Sequence, residues 1–289
     1  APLAVSALFT VSAGESLLAV ASFVVGYALY LTVWVLLILL ASSVFSKNSG
    51  SFTALAFVWI LLCIVMPRVA STTASTAVPS AGKIETDFAV KTELRKLGDG
   101  HNTNDPAFKQ FKQSLLKKYN VNSIDELPVN FRGLVASESE AKQANVLNQF
   151  AEQRMQSELK QTQVSRYFGW VSPMVAIRTL SMIVVGTSIE THHRFLRETE
   201  QLRFDFVQGL NKIHIEELDY KDDMNRNADA AATKKARVSA QNWQILQDFN
   251  FNVDSADVRA QRSVPAFLQL LLWIVVLIGG IKFVGKRLL

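Results

Sequence analysis

The residues best suited to ligate a metal ion lie past the middle of the chain, where Glu190, Glu198 and His214 are near His192 and His193 in sequence. A zinc site needs three or four converging ligands, commonly at positions i and i+4 of one helix face. Adjacent histidines on a helix point about 100° apart, and no His-Glu-x-x-His pattern occurs. The pattern therefore favours a packed or helix-capping histidine over a metal site, and we expect no cofactor.

A second candidate is GIKFVGK, from Gly280 to Lys286, which nearly matches the phosphate-binding motif G-x-x-x-x-G-K. That motif needs a preceding strand and a Ser or Thr after the lysine, whereas here an apolar segment precedes it and Arg287 follows. The basic end is more typical of an anchor at anionic lipid headgroups. No G-x-S-x-G sequence occurs and His101 stands alone in a polar loop, so no convergent set of residues predicts an enzyme.

An apolar stretch, Ser172 to Gly186, interrupts the polar region of the chain. Ser172 can cap a helix that starts at Pro173, and Gly186 can end it. At about 14 residues this helix is too short to cross a bilayer, which takes roughly 20. It must be buried in a protein core or at a membrane surface, and the apolar flanks of the chain favour the membrane. The predicted membrane-surface helix contains Pro173, Met174, Ile177, Arg178, Leu180, Met182, Ile183 and Gly186.

Arg178 is the one charged residue of that helix. Its long side chain can extend to lipid headgroups while its methylene groups stay in apolar surroundings. Alternatively, it can pair with an acid such as Glu190.

The distribution of charge predicts the architecture that positions these residues. The 289-residue chain is 49% hydrophobic with a net charge of +5, yet residues 17–45, 52–67 and 263–281 carry no charge. We therefore predict an all-α polytopic membrane protein whose transmembrane helices bracket a mainly helical extracytoplasmic domain. The expected transmembrane region is 1–69, with the tail of an earlier span at 1–11 and spans at 17–45 and 52–67, the second ended by Pro67. The domain is 70–262, and the final helix with a short basic tail is 263–289.

Two function classes are excluded by composition. No basic run interleaved with aromatic residues occurs, so nucleic acid is not an expected partner. Cys63 is the only cysteine, which excludes an internal disulfide framework and a cysteine-rich metal site.

Within the middle domain, residues 71–82 resemble an unstructured linker, and helical signals follow. Asp105 and Pro106 can start a helix whose apolar face is Phe108, Phe111, Leu115 and Tyr119. Three capping boxes are predicted, at Ser123/Glu126, Ser137/Glu140 and Thr187/Glu190. The second opens a helix to Phe168 with the apolar stripe Ala144, Leu147, Ala151, Met155 and Leu159. The helix from Ile189 carries the stripe Phe195, Thr199, Leu202, Phe206, Leu210 and Ile213.

These two narrow stripes predict an antiparallel helix pair packed seam to seam, with Pro173–Gly186 at the turn. After the pair, Asp219 to Arg226 is expected to be a loop, and Ala228 to Phe249 is compatible with a helix.

Lysine and arginine near the spans give a weak prediction of orientation. Lys47 in the short hairpin and Lys282, Lys286 and Arg287 at the end favour a cytoplasmic hairpin and C-terminus. The domain then lies outside. Three spans with an external N-terminus are expected if they are the last three spans of a six-span protein with both ends cytoplasmic.

Two stretches resemble a known family. Residues 27–70 (YALYLTVWVLLILLASSVFSKNSGSFTALAFVWILLCIVMPRVA) are similar to the fourth and fifth spans of ABC-2-type permeases, the membrane subunits of ATP-driven exporters. The second stretch resembles a branch of those permeases that inserts a large external domain of unknown function between the last two spans. Its matching positions are Ser172, Pro173, Arg178, Ser181, Gly186, Thr187, His192, His193, Phe195, Glu200 and Arg203. Where that branch has an acid after Gly-Thr, this chain has Ser188.

The resemblance implies a multi-pass permease in the bacterial inner membrane with a periplasmic middle domain. Its partners would be a separate ABC-type ATPase subunit, a second permease half and the lipid bilayer. In such permeases the ATPase-docking loop precedes the fourth span, so residues 1–289 alone are not expected to couple to an ATPase. The alternative is a non-transporting membrane scaffold or sensor whose external helical domain binds a partner.

Overall fold

The structure, a computed structural model, describes residues 14–99, 102 and 105–288, and helices are the only regular elements among them. The predicted all-α fold class is thus confirmed. The predictions for residues 1–11 and for His101 lie outside the described residues. In chain order the α-helices are α1 Leu17–Val44, α2 Asn48–Ala77, α3 Lys83–Lys96, α4 Lys109–Tyr119, α5 Phe131–Tyr167, α6 Pro173–Val184, α7 Ile189–Glu217, α8 Tyr220–Met224, α9 Ala230–Lys235 and α10 Ala256–Leu288.

The chain divides into two compact units. The first comprises Ala1–Ser80, Met155–Arg194 and Asn252–Leu289, and the second comprises Ala81–Arg154 and Phe195–Phe251. Helices α5 and α7 therefore contribute residues to both units.

Long apolar helices dominate the first unit. Four stretches of the described chain are long and apolar enough to cross a membrane: α1, α2, Pro173–Glu217 and Ala256–Lys286. Large apolar side chains such as Leu31, Phe57 and Val275 are more than half exposed, as expected for a surface that faces lipid rather than water. The chain is a multi-pass membrane protein.

The third stretch is not one continuous helix. It combines α6 and α7, which are separated by Gly186 in the left-handed conformation (φ 74°). Helix α6 has 12 residues, or about 18 Å at 1.5 Å per residue, which is short of the roughly 30 Å hydrocarbon core.

Helix α2 continues past Pro67, where the sequence predicted that the span would end. A five-residue π turn, Leu61–Val65, precedes the proline. The wider turn moves the preceding carbonyl groups away from the pyrrolidine ring, which would otherwise clash with them. The helix runs to Ala77, so the first part of the predicted linker at 71–82 is helical.

The core of the first unit forms around α6, seven of whose residues are buried. Ile177 and Leu180 of α6 pack with Ala19 of α1 and with Ala266 and Leu270 of α10. Gly26 of α1 permits this contact, because a Cβ there would lie 2.6 Å from Leu180 Cδ2.

The second unit has a separate apolar core. Phe108, Leu115, Phe131 and Val135 are buried, and Phe111 and Tyr119 pack against them. The predicted apolar face of α4 is thus confirmed. Asp105 caps this segment by accepting from the Ala107 N–H at 2.9 Å.

In the second unit α5 and α7 pair in antiparallel fashion through polar side chains. Ser137 donates to Gln208 at 2.7 Å, and two ion pairs lie farther along, Arg203–Glu140 at 2.8 Å and Arg197–Glu152 at 2.5 Å. The antiparallel pairing is as predicted, but the apolar seam is incomplete. Leu147 is 41% exposed although Ala144 is buried.

The apolar stripe of α7 packs instead on the segment that follows α9. The Phe195 ring contacts Phe249 and Phe251 with centroids 5.7 and 5.3 Å apart, and Phe206 contacts Trp243 at 5.7 Å. The segment Ala228–Phe249, compatible with a helix by sequence, is α-helical only at α9. Residues 240–245 form a 3-10 turn, and residues 246–255 are irregular.

Three local predictions are also wrong. Asp219–Arg226 contains helix α8, capped by Asp219. Helix α5 starts at Phe131, six residues before Ser137, because Asn130 Oδ1 accepts from the Arg132 and Gly133 N–H groups. Ser123 makes no side-chain cap.

Candidate functional site

Ser172 joins α6 to the middle of α2. Its hydroxyl donates to the Leu62 carbonyl at 2.7 Å, and its oxygen also accepts from the Val175 N–H at 3.4 Å, as a helix cap. The Leu62 carbonyl is available because the π turn directs the Met66 N–H to Leu61. The next donor would be Pro67, which has no N–H.

The turn before α6 fits closely against α10. Gln269 donates from Nε2 to the Arg166 carbonyl at 3.1 Å. A Cβ on Gly169 would lie 2.1 Å from Gln269 Oε1, so a larger residue at this position would displace the Gln269 side chain. Gln269 is buried, as expected for an amide that must be satisfied among apolar helices.

Helix α6 runs antiparallel to α1. At its start the Tyr30 hydroxyl donates to Met174 Sδ at 3.7 Å. At its end Arg259 donates to the Val184 carbonyl at 2.7 Å and pairs with Glu15 at 2.6 Å. Hydrogen bonds from Arg259 and from the Ser16 N–H hold the pKa of the Glu15 carboxyl below its usual value.

These contacts locate the turn relative to the long helices. Tyr30, Leu62 and Gln269 lie near the midpoints of α1, α2 and α10. A helix resting at the outer membrane surface would contact only the ends of the spans. The start of α6 packs between the long helices, and the prediction of a membrane-surface helix stays a prediction.

A cavity of about 540 Å³ opens beside α6. Its apolar wall includes Cys63 and Pro67 of α2 together with Met174 and Val175. Its polar wall includes hydroxyl groups that have no hydrogen-bond partner within the described part of the chain, those of Ser71, Thr162, Ser165 and Thr179.

The charged groups at this cavity differ in their pairing. Arg166 makes a two-point ion pair with Glu190, at 2.6 and 3.0 Å. Arg178 lines the cavity, is exposed, and has no ion-pair or hydrogen-bond partner among the residues that the structure describes. Of the two predicted alternatives for Arg178, pairing with Glu190 is therefore excluded.

The predicted capping box at Thr187 and Glu190 does not form. Thr187 donates instead to the Met182 carbonyl at the end of α6, and Glu190 is engaged by Arg166. Of the other predicted helix residues, Ile177, Leu180 and Ile183 are buried and Met182 is 37% exposed.

The candidate metal ligands are dispersed. His193 is fully buried and shares a 2.7 Å hydrogen bond with Glu158, whereas His192 is exposed. Across residues 14–99, 102 and 105–288, no group of three His, Cys, Asp or Glu side chains could hold a metal.

His214 joins a polar cluster in the second unit. Its Nε2 lies 2.9 Å from Asp223 Oδ2, and Arg226 and Asn130 also hydrogen-bond to this carboxylate. Burial favours a raised pKa for Asp223, but the hydrogen bonds from Arg226, His214 and Asn130 outweigh it and lower the pKa. The side chain of Asp223 is fully buried, so the cluster stabilises the fold around it.

The residues between Ser172 and Arg203 that resemble the permease branch are divided between the two units. Ser172, Ser181, Thr187, His192 and His193 belong to the first unit. Phe195, Glu200 and Arg203 belong to the second, where Arg203 pairs with Glu200 and Glu140.

Sequence reasoning did not identify Leu62, Arg166, Gly169 or Gln269. The available signals were weak. Pro67 ends an uncharged run. Gln269 is the one amide side chain between Pro265 and Ile281.

Comparison with protein-family models identifies a match over more than half of the chain. A family model described as "Domain of unknown function (DUF3526)" matches residues 83–252. No curated protein and no solved structure matches the chain.

Proposed function

The chain belongs to the DUF3526 family, and we propose that it is the membrane-spanning permease subunit of an ATP-driven exporter of the ABC-2 type. In this proposal two permease halves form the translocation path and separate subunits hydrolyse ATP. The permease is not itself an enzyme. The membrane is the bacterial inner membrane, and the domain between the last two spans lies on its outer side.

The observation that carries the proposal is the cavity beside α6. Charged and hydroxyl side chains line it, although it adjoins long apolar helices. Ionisable groups at membrane depth are costly, and they commonly mark the path of a substrate or ion. Irregular backbone such as the Phe168–Ser172 turn is tolerated there where it is buried in protein or lines a cavity.

The resemblance of residues 27–70 and of the Ser172–Arg203 block to ABC-2 permeases supports the same function. A scaffold or sensor requires anchoring helices and an external domain, but it does not require a polar cavity beside those helices.

The test is to purify the complete gene product from native membranes under mild conditions. We expect an ATP-binding-cassette subunit to co-purify in fixed ratio, with an ATPase activity that falls when the permease is removed. Recovery of the intact protein without any such ATPase would contradict the exporter and favour the scaffold or sensor.

A further inference from the structure

We propose that the cavity beside α6 binds an anionic amphiphile, with the headgroup paired to Arg178 and the apolar tail directed toward Cys63. The proposal deepens the function proposed above by naming a ligand class for the same cavity. It requires only that the first unit is embedded in a membrane.

Arg178 is the group of the cavity that can bind an anion. Arg166 is neutralised by Glu190, and the Glu158 carboxylate is held by a 2.7 Å hydrogen bond with the buried His193. Arg178 is left as the one cation on the wall without a partner in the described residues. A guanidinium presents five donors and binds phosphate in a two-point geometry.

The polarity of the wall changes along α2. On α2 the lining runs from Cys63 to Ser75, a distance of about 18 Å at 1.5 Å per residue. The Cys63 end lies beside Met174, near the midpoints of the long helices, whereas the Ser75 end lies near the C-terminus of α2. Arg178 lies between these two ends along α6.

The unpartnered hydroxyls fit the same ligand. Ser71, Thr162 and Thr179 can each donate a hydrogen bond to a headgroup oxygen. The volume of about 540 Å³ lies within the range of pockets that enclose a ligand of drug size. It accommodates one headgroup and part of one chain.

Cys63 is the only cysteine of the chain and lines the apolar end, so it reports directly on tail occupancy. The chain is reconstituted in phosphatidylcholine nanodiscs and titrated with dodecyl phosphate. Bound amphiphile is counted by native mass spectrometry, and the rate of Cys63 alkylation by a small maleimide is measured in parallel. We expect one dodecyl phosphate per chain and slower alkylation of Cys63 when it is bound.

The matched variants are Arg178→Gln and Arg68→Gln. Arg68 is also exposed and also has no partner in the described part of the chain, but it does not line the cavity. We expect Arg178→Gln to weaken binding by about tenfold or more, because a charge-assisted hydrogen bond is lost, and Arg68→Gln to leave it unchanged. Arg178→Lys should retain part of the affinity.

Other probes separate the sources of the ligand. Protection of Cys63 by phosphatidylglycerol in the nanodisc would identify a bilayer lipid, and protection by added dodecyl phosphate alone would identify a soluble amphiphile. Equal binding to wild type and Arg178→Gln would overturn the proposal. Equal protection by inorganic phosphate or by dodecyl maltoside would do so as well. No ATPase is present in this assay, so its failure does not bear on the exporter.

Discussion

Ser172 shows how one hydroxyl can serve two helices at once. It donates to the Leu62 carbonyl of α2 and accepts from Val175 at the start of α6. Replacing it with alanine leaves a buried carbonyl without a donor, which costs about 1–3 kcal/mol, and removes a helix cap that is typically worth about 1 kcal/mol. We expect Ser172→Ala to lower the thermal unfolding midpoint of the chain in nanodiscs.

The matched control is Ser43→Ala. Ser43 donates only to the Leu40 carbonyl within its own helix, so the change should be nearly neutral. Equal shifts of the unfolding midpoint in the two variants would contradict the role assigned to Ser172.

Asp223 makes the stability of the second unit dependent on pH. Its folded-state pKa is lower than that of an exposed aspartate, so the charged carboxylate contributes stability above about pH 4, the usual aspartate value. That contribution falls as the pH drops through the folded-state pKa. We expect the difference in unfolding midpoint between wild type and Asp223→Asn to be large at pH 7 and to disappear in acid.

Asp248→Asn serves as the control for this pH series. Asp248 is exposed, and no ion pair or hydrogen bond of its side chain occurs in the described residues. Its removal should give a small difference at every pH. A difference for Asp223→Asn that is independent of pH would show that the carboxylate charge does not matter.

At the level of single residues, the sequence could predict what is local. Ser172 as a cap and Pro173 as the first helical residue are both confirmed. The partner of Ser172 could not be predicted, because it depends on a π turn 110 residues earlier. His193 could be predicted as a packed residue, but not its bond to Glu158.

At the level of helices, the two ends of α6 lie at different distances from the midpoints of the long helices. Val171 in the turn and Val185 after α6 are exposed to similar extents, 53% and 49%. Their depths should differ, because the turn lies at the midpoints of the long helices whereas Val185 follows the Arg259–Val184 contact.

Spin labels at these two positions, in a Cys63→Ser background, test this difference. We expect the label at Val171 to collide more with oxygen, which concentrates in the bilayer, and the label at Val185 to collide more with a water-soluble nickel complex. Equal accessibility of the two labels would instead place α6 flat on the membrane surface.

The uncharged runs could predict α1 and α10 because long apolar segments have few alternatives to a membrane helix. They could not predict that α2 passes Pro67, since that depends on a local π turn. The sequence also could not predict that residues 240–251 pack on α7, because aromatic contacts such as Phe195–Phe251 join positions distant in sequence.

For the whole molecule, the testable property is sidedness. If the hairpin at Lys47 and the basic C-terminus are cytoplasmic, protease added to intact spheroplasts should cut between residues 81 and 251 and spare both of them. An epitope tag at the C-terminus reports the outcome, and permeabilised spheroplasts provide the control. Loss of the tag with an intact middle segment would mean the opposite orientation.

The π turn of α2 has a mechanical consequence. The Leu62 carbonyl accepts no backbone hydrogen bond within α2. The Ser172 hydroxyl donates to it instead. We expect loss of that bond to make α2 easier to bend near Pro67, because neither Ser172 nor a backbone N–H would then hold the Leu62 carbonyl. Bending at this hinge would change the shape of the adjoining cavity while the rest of the helix stays rigid.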